Sequence, residues 1–427
     1  MKSAALVLPF LFSTFAFGAV TLDEAFRSAL SQNEVVGQAR ERVFQADEQY
    51  TQARGAIFPT LSFQASHLIQ PEPQDPIARE IFPEEQTTTN LNLRQPLFRG
   101  FREFAGVRQR RRTLTAEQQN RVSTLLELYQ SVATSYLNVL SFEQDLKNLA
   151  EQRKIYNERI RELQARIRRG ESNSSEALTA QSTEAALEAE MRIVETNLAS
   201  ARENFKLVTT LPADSKLMDG SVEGRKSLPA LKPLAEYLSR IENRPDIKAA
   251  RDRLEAAQEE IRVARGAHWP TLDLQGNYYF QRPPGFLNEI RWDVQLNLSF
   301  PLYEGGTVLS QTREAASRNR DRELELSRLR RQAEADIKSL YESLKNRSDQ
   351  LSALERSSEL AEKNYQVLQR DFRRGLSRSI DVQLALTEFR VARRSYDQAR
   401  FAAQLDWIRL QLASATFPEA LEKELAP

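Results

Sequence analysis

Ile290-Arg291-Trp292-Asp293-Val294-Gln295-Leu296-Asn297-Leu298-Ser299-Phe300 alternates apolar and polar residues at every step. Successive side chains of a strand point to opposite faces, so this stretch predicts a strand with one greasy face and one wet face. A second stretch repeats the pattern: Leu272, Leu274, Gly276, Tyr278 and Phe280 alternate with Asp273, Gln275, Asn277, Tyr279 and Gln281. Two weaker stretches do the same. Leu61, Phe63 and Ala65 alternate with Ser62, Gln64 and Ser66, and Leu91 and Leu93 with Asn90, Asn92 and Arg94. Each strand is expected to run about ten residues, the length that a tilted membrane-spanning strand needs. Phe58, Trp269 and Trp292 stand near strand ends, where aromatic side chains anchor at a membrane interface. A soluble two-layer sheet with one wet face is the alternative, but four strands alone offer little to cover the apolar side. Four strands cannot close a barrel, and a sheet in hydrocarbon cannot leave its edges unpaired. Several chains must then contribute. Two would give a filled barrel of about eight strands and three an open one of about twelve; counting does not choose between them.

The strands belong to an internal repeat. Ala53-Arg54-Gly55-Ala56-Ile57-Phe58-Pro59-Thr60-Leu61 returns as Ala264-Arg265-Gly266-Ala267-His268-Trp269-Pro270-Thr271-Leu272, an offset of 266 − 55 = 211. Pro96-Leu97-Phe98-Arg99-Gly100 returns as Pro301-Leu302-Tyr303-Glu304-Gly305, an offset of 301 − 96 = 205. Arg168-Arg169-Gly170 with Ser172 returns as Arg373-Arg374-Gly375 with Ser377, again 205 residues on. The change of offset predicts a shorter strand-to-strand connection in the second copy. The constant second offset predicts a rod between the last two motifs that ends at the same level twice, because packed helices tolerate no insertions.

Those rods read as coiled-coil helices. From about Phe101 to Arg168 no proline interrupts the chain. Apolar residues recur there three and four apart: Val122, Leu125, Tyr129, Val132, Tyr136, Val139, then Leu146, Ala150, Ile160 and Ile167, with Glu143, Arg153 and Asn157 interrupting the seam. The second copy shows Ala333, Ile337, Leu340, Leu344, Leu351, Leu354, Ala361, Tyr365, Leu368 and Phe372, interrupted by Arg347 and Ser358. Gly170 and Gly375 stop the rods as helix-terminal glycines. Serines followed by Glu176 or Asp381 then restart shorter helices whose early acids suit the N-terminal dipole. Each copy is a helical hairpin with a tip at one end.

The expected organisation is a signal peptide at 1–18, a first repeat at 19–211, a linker at 212–232 rich in Pro, Gly, Asp and Ser, a second repeat at 233–416 and a tail at 417–427. Lys2, the apolar run Ala4 to Phe17 and Ala16-Phe17-Gly18 carry the signal-peptide reading. The 60 basic and 59 acidic residues nearly cancel, so nothing global argues for nucleic acid. There is no cysteine, which excludes disulfides, cysteine metal sites and a lipid anchor on a cysteine. His67 and His268 lie far apart in sequence. No catalytic triad, phosphate loop or metal-ligand cluster is evident, so no enzyme activity, cofactor or metal is expected.

Taken together, the duplicated motifs in order, at matched spacing, behind a signal peptide, resemble the TolC-like outer-membrane efflux family over about residues 21–416. The resemblance implies a mainly α chain with a membrane β-barrel portion. In it, a homotrimer closes a twelve-stranded β-barrel, four strands per chain, continued by a long α-helical coiled-coil tunnel across the periplasm of a Gram-negative cell. It implies a passive exit duct of a tripartite efflux or type I secretion system. The partners so implied are a periplasmic membrane-fusion adaptor, an inner-membrane transporter of RND, ABC or MFS type, and outer-membrane lipid. The adaptor would meet the tips, Gly170-Glu171-Ser172 and Gly375-Leu376-Ser377. Asp381 occupies the place of the family's acidic constriction, and Leu384 the place of a second acid. Glu176 fits the acid of the inter-helix latch. Phe372 lacks the latch's aromatic hydroxyl and Ser377 stands where its arginine would be, leaving Arg378 or Arg373 to substitute. Arg108, Arg110, Arg111 and Arg112 read either as phosphate-headgroup contacts or as a solvated helix face. The alternative to a duct is a secreted periplasmic or surface coiled-coil scaffold or adhesin.

Overall fold

The computed structural model describes residues 19–71, 73–82, 84–219, 229–283, 287–418 and 421–422. The expected signal peptide, part of the linker and most of the tail lie outside them. The chain runs α1 (Leu22–Gln32), α2 (Glu34–Gly55), β1 (Thr60–Ile69), α3 (Pro76–Ile81), β2 (Glu85–Arg99), α4 (Arg102–Arg168) and α5 (Ser174–Thr209). It continues through α6 (Leu234–Leu238), a 3-10 turn (Ile241–Asn243), α7 (Pro245–Gly266), β3 (Thr271–Gln281), β4 (Trp292–Ser299), α8 (Thr307–Arg373) and α9 (Ser379–Ala413). The repeat is visible in the element lengths. α2 and α7 have 22 residues each, and α4 and α8 have 67 each. At about 1.5 Å per residue either long helix spans about 100 Å.

Two compact units form, and α4 and α8 contribute to both. Residues 37–123 and 241–333 make the unit that holds the sheet. Its strands lie in the order β1-β2-β3-β4, every neighbour antiparallel. Leu93 pairs with Gly276, and Gly276 with Val294. A register shift at Pro96 to Phe98 carries the proline, which has no N–H to give the ladder. The β1–β2 connection includes α3, which the alternation did not foretell. Pro76 opens this helix, a position where its missing N–H costs nothing. The Asp75 carboxylate accepts from Ile77 N at 2.8 Å. Ile247 and Ala250 of α7 pack on Leu326 and Ala333 of α8.

Residues up to 36, 124–240 and from 334 onward make the helical unit. One cluster joins Phe26 of α1, Leu125, Tyr129, Val132 and Tyr136 of α4, Phe205 of α5 and Ile408 of α9. Thr21 and Glu24 close a capping box at the start of α1, which ends at Asn33. The Tyr136 hydroxyl lies 2.8 Å from the Val20 carbonyl, tying the first described residues to α4. A second cluster joins Leu149, Tyr156 and Leu163 of α4 with Leu187 and Val194 of α5, Tyr365 and Phe372 of α8 and Leu386 of α9. Each fully buried leucine there stabilises the fold by roughly 2 kcal/mol.

The α8 seam follows the expected positions, with Ile337, Leu344, Ser358, Tyr365 and Phe372 buried. Beyond residue 142 the α4 seam does not. Ala150 is exposed, whereas Asp145, Leu149, Gln152, Tyr156, Arg159 and Leu163 are buried at alternating spacings of four and three. The period continues, but charged and amide side chains occupy it. Partners on α9 engage the two charged ones, Arg394 on Asp145 and Ser379 on Arg159.

Candidate gate at the helical tips

Both tips are built the same way. Gly170 and Gly375 take the left-handed conformation at φ +73° and +78°. Around each, two N–H groups close on the helix end. Gly170 N reaches Ile167 O at 3.0 Å and Glu171 N reaches Arg166 O at 2.9 Å; Gly375 N reaches Phe372 O at 3.0 Å and Leu376 N reaches Asp371 O at 2.8 Å. This pattern satisfies the last carbonyls and needs a positive φ, which is why both tips carry glycine. Glu171 is paired with Arg169 at 2.9 Å, and that hydrogen bond holds its carboxyl below the usual range. Ser172 donates to Glu176 Oε2 at 2.7 Å, Ser377 donates to Leu368 O at 3.0 Å, and Leu376 is exposed.

The restarting helices use different caps. Asn173 accepts from Ser175 N at 3.2 Å to open α5, as an N-cap asparagine does. At α9, Asp381 reaches back and accepts from Arg378 N at 3.2 Å, while the Arg378 guanidinium grips both of its oxygens at 3.2 Å. The hydrogen bond from Arg378 holds the Asp381 carboxyl below its ordinary value. Arg378 and Asp381 are thus brought together. Glu176 meets Ser172 instead, and Arg373 is exposed.

Two residues that periodicity did not single out organise the tip. Arg159 of α4 is buried; its Nη2 donates to Ser379 Oγ at 2.7 Å and to Ser379 O, at the first turn of α9. The Arg166 guanidinium stacks over the Phe372 ring, 4.3 Å from its centroid. The Arg159 guanidinium lies 5.5 Å from the same centroid. Both distances fall within the reach of a cation–π contact. Burial pulls the Arg159 guanidinium down from its ordinary pKa, though an arginine stays charged. A further buried knot joins Asp145 of α4 to Arg394 of α9 at 2.7 Å, and Arg394 also pairs with Glu190 of α5. Burial raises the Asp145 carboxyl despite Arg394. Asp145 and Arg159 stand off the seam that apolar spacing traces in α4, so the sequence carries no signal for them.

In the other unit, the sheet separates its chemistry by face. On the polar face Asn92 Nδ2 donates to Asn277 Oδ1 at 2.7 Å, and Asn90 donates to the same oxygen at 3.3 Å. Asn277 donates to Asp293 at 2.8 Å, and Arg282 closes the row on Asp293 at 2.7 Å. Arg99 and Arg94 both grip Asp273. On the opposite face Leu61, Phe63, Leu93, Tyr278, Val294, Leu296 and Leu298 are all exposed. Phe58 and Trp269 precede β1 and β3, at the end where β3 starts against Ser299. Trp292 opens β4 opposite Tyr278, at the other end. All three are exposed. Beside the sheet, Arg108 pairs with Glu259 at 2.9 Å, Arg112 with Glu255 at 2.8 Å and Arg110 with Gln49 at 3.0 Å, so three of the four basic residues there are engaged on protein groups. No helix among the described residues is long and apolar enough to cross a membrane.

Residues 25–209 and 239–416 match the family model described as outer membrane efflux protein. Proteases secretion protein PrtF of Dickeya chrysanthemi is 24% identical over 351 residues, 79% of this chain and 74% of that protein. Pyoverdine export outer membrane protein OpmQ of Pseudomonas putida is 26% identical over 273 residues, 61% of this chain and 56% of its own length. The solved structure of the outer membrane protein VceC from Vibrio cholerae superposes with a TM-score of 0.77 at 18% identity, covering 92% of this chain and 95% of that one.

Proposed function

Because the chain belongs to the outer membrane efflux protein family, we propose that three copies of it close one barrel and form the exit duct of an export machine. The protein is an outer-membrane efflux channel; its family and fold are those of channels. The observation that carries the assembly reading is the sheet. One face is apolar and exposed, the other is a hydrogen-bonded polar row, and β1 and β4 are its two edges. Such a sheet satisfies hydrocarbon on one side and water on the other only when its edges are paired around a lumen.

The duct performs no bond chemistry in this reading. Solute moves through it down a gradient once the tips part. A periplasmic adaptor meets Gly170-Glu171-Ser172 and Gly375-Leu376-Ser377, and an inner-membrane transporter of RND, ABC or MFS type supplies the cargo. Asp381 with Arg378, and Glu176, set the charge at the constriction. One relative is named for protease secretion and another for pyoverdine export. Cargoes so unlike in size support selection by the transporter rather than by the duct. The scaffold or adhesin alternative is set aside by the family membership.

Planar-bilayer recording of the detergent-purified protein tests this. Discrete conductance steps from a detergent-dependent trimer are the expected result. A chain that leaves the membrane with high salt, and gives no steps, would overturn it.

A further inference from the structure

Acids and bases do not stand alike on the polar face of the sheet. Both oxygens of Asp273 are taken: Arg94 Nη2 donates to Oδ2 at 3.3 Å and Arg99 Nη2 to Oδ1 at 2.8 Å. Arg99 also lies 3.9 Å from Glu103 at the start of α4. Both oxygens of Asp293 are taken too: Asn277 Nδ2 donates to Oδ1 at 2.8 Å and Arg282 Nη2 to Oδ2 at 2.7 Å. Arg282 packs over the Tyr279 ring, its guanidinium carbon 3.6 Å from the centroid.

Two arginines keep charge to spare. A guanidinium has five N–H donors. Arg94 gives one to Asp273, and its side chain is 54% exposed against 15% for the acid. Arg291, just before β4, is exposed and donates to Phe280 O at 3.0 Å. Tyr279 N donates to Arg291 O at 2.7 Å, and alternation then places Arg291 on the face of Asp293. No ion pair joins Arg291 to an acid among the described residues. Arg94 stands opposite Gln275 and Arg291 opposite Tyr279, so the two lie at levels about 13 Å apart along β3. Asn92 and Asn277, on the same face, are bonded to each other and add no charge. β1 contains no acid, so pairing the sheet edges brings none to this face. Glu85 opens β2 opposite Ile69, on the apolar side by alternation, and Glu289 lies in the connection before β4. The carboxylates are thus covered in the wall, and the accessible charge upon it is cationic.

We propose that this face binds polyvalent anionic solutes in transit, and that Arg94 and Arg291 are the residues that meet them. The ligand class is a small molecule carrying several phosphate, sulfate or carboxylate groups. A guanidinium with free donors takes two oxygens of such a group at once and holds its charge at any working pH. Rings of arginine are one way in which a pore wall acquires anion preference. The proposal rests on the channel reading above, in which three copies repeat each arginine level three times around one lumen. A cation entering that lumen meets the same arginines and finds the carboxylates already engaged.

Block of the reconstituted channel by inorganic tripolyphosphate, added to each side of a planar bilayer in turn, tests this. The parent is expected to be blocked from one side or both, less so at high salt, which screens the charges. Arg94→Gln combined with Arg291→Gln is expected to raise the half-blocking concentration roughly tenfold. Arg94→Lys with Arg291→Lys keeps the charge and should keep most of the block. Asp273→Asn removes an engaged carboxylate and should tighten it. Conductance steps of the parent's size in each variant show that the barrel still forms. A conducting parent that tripolyphosphate does not block, or a half-blocking concentration that the double glutamine variant leaves unchanged, would overturn the anion site and leave the channel reading standing. A parent that gives no conductance steps would overturn the channel reading itself, and the anion site with it.

Discussion

Arg159 Nη2 lies 2.7 Å from Ser379 Oγ, so a buried cation on α4 holds the first residue of α9. The pairing is costly to arrange, because the guanidinium is desolvated beside a helix N-terminus that is itself positive. Phe372 beneath it and the hydrogen bonds to both Ser379 oxygens offset that cost. Hydrogen bonds to a buried charge are worth roughly 1.5–3 kcal/mol. Arg159→Gln is therefore expected to lower stability by about 2 kcal/mol and to loosen the start of α9. Single-channel recording checks the second effect: the resting conductance should rise. A variant that conducts and melts like the parent would remove Arg159 from the tip clasp.

Gly100 leads to a prediction in the sheet unit. Its backbone sits in the left-handed region, and a Cβ there would run into the Gly266 carbonyl. The left-handed conformation costs a side-chain-bearing residue roughly 1–2 kcal/mol. Overpacking of this kind adds about 1–3 kcal/mol. Gly100→Ala is expected to destabilise by several kcal/mol, read as heat-modified migration in detergent. Gly106, inside α4, has nothing within 4 Å of an added Cβ and an ordinary helical backbone. Gly106→Ala should be neutral or stabilise by about 0.5–1 kcal/mol. Equal effects at the two positions would refute the account of the junction.

Much of this was legible beforehand. The alternation from Ile290 to Phe300 locates β4, and the interruptions Arg347 and Ser358 fall on the true α8 seam because apolar neighbours on both sides keep the period. The α4 seam was lost past residue 142. Asp145 and Arg159 occupy seam positions there, and apolar periodicity reads a charge as solvent-facing. Their partners, Arg394 and Ser379, lie more than two hundred residues away, so no local pattern reveals them. The Asp75-Pro76 start of α3 was readable, but a helix of six residues buries too little to announce itself by periodicity.

Asp145 makes a pH-dependent prediction. Its carboxyl is raised by burial, with Arg394 opposing and Glu190 and Asp397 reinforcing the shift. The folded chain then binds a proton that the unfolded chain has already released. The cost of the ionised group is fully present above the raised folded pKa. It is relieved as pH falls toward the ordinary value of 3.8. Across that window this group makes stability rise as pH falls, by at most about 1.4 kcal/mol per pH unit. Asp145→Asn, which keeps the shape and leaves Glu190 to hold Arg394, is expected to abolish that component. Denaturation midpoints of both proteins, followed from neutral pH down into the carboxylate range, check it. Parallel curves would mean that Asp145 ionises as if unburied.

Asp381 and Arg378 give opposed predictions at the constriction. The acid is the charge that the tip reading needs, but it is gripped by its own neighbour at 3.2 Å and ionises below its ordinary value. Its charge is therefore present throughout the physiological range, and Arg378 cancels part of it. Neutralising the acid and neutralising the base should move ion selectivity in opposite directions. Asp381→Asn is expected to lower cation preference, and Arg378→Gln to raise it, each seen as a shift of reversal potential under a salt gradient. Both variants also lose a contact at the α9 start, so a loss of helix order alone would move both in the same direction. Shifts of one sign would assign the pair to capping, and no shift in either would place the constriction elsewhere.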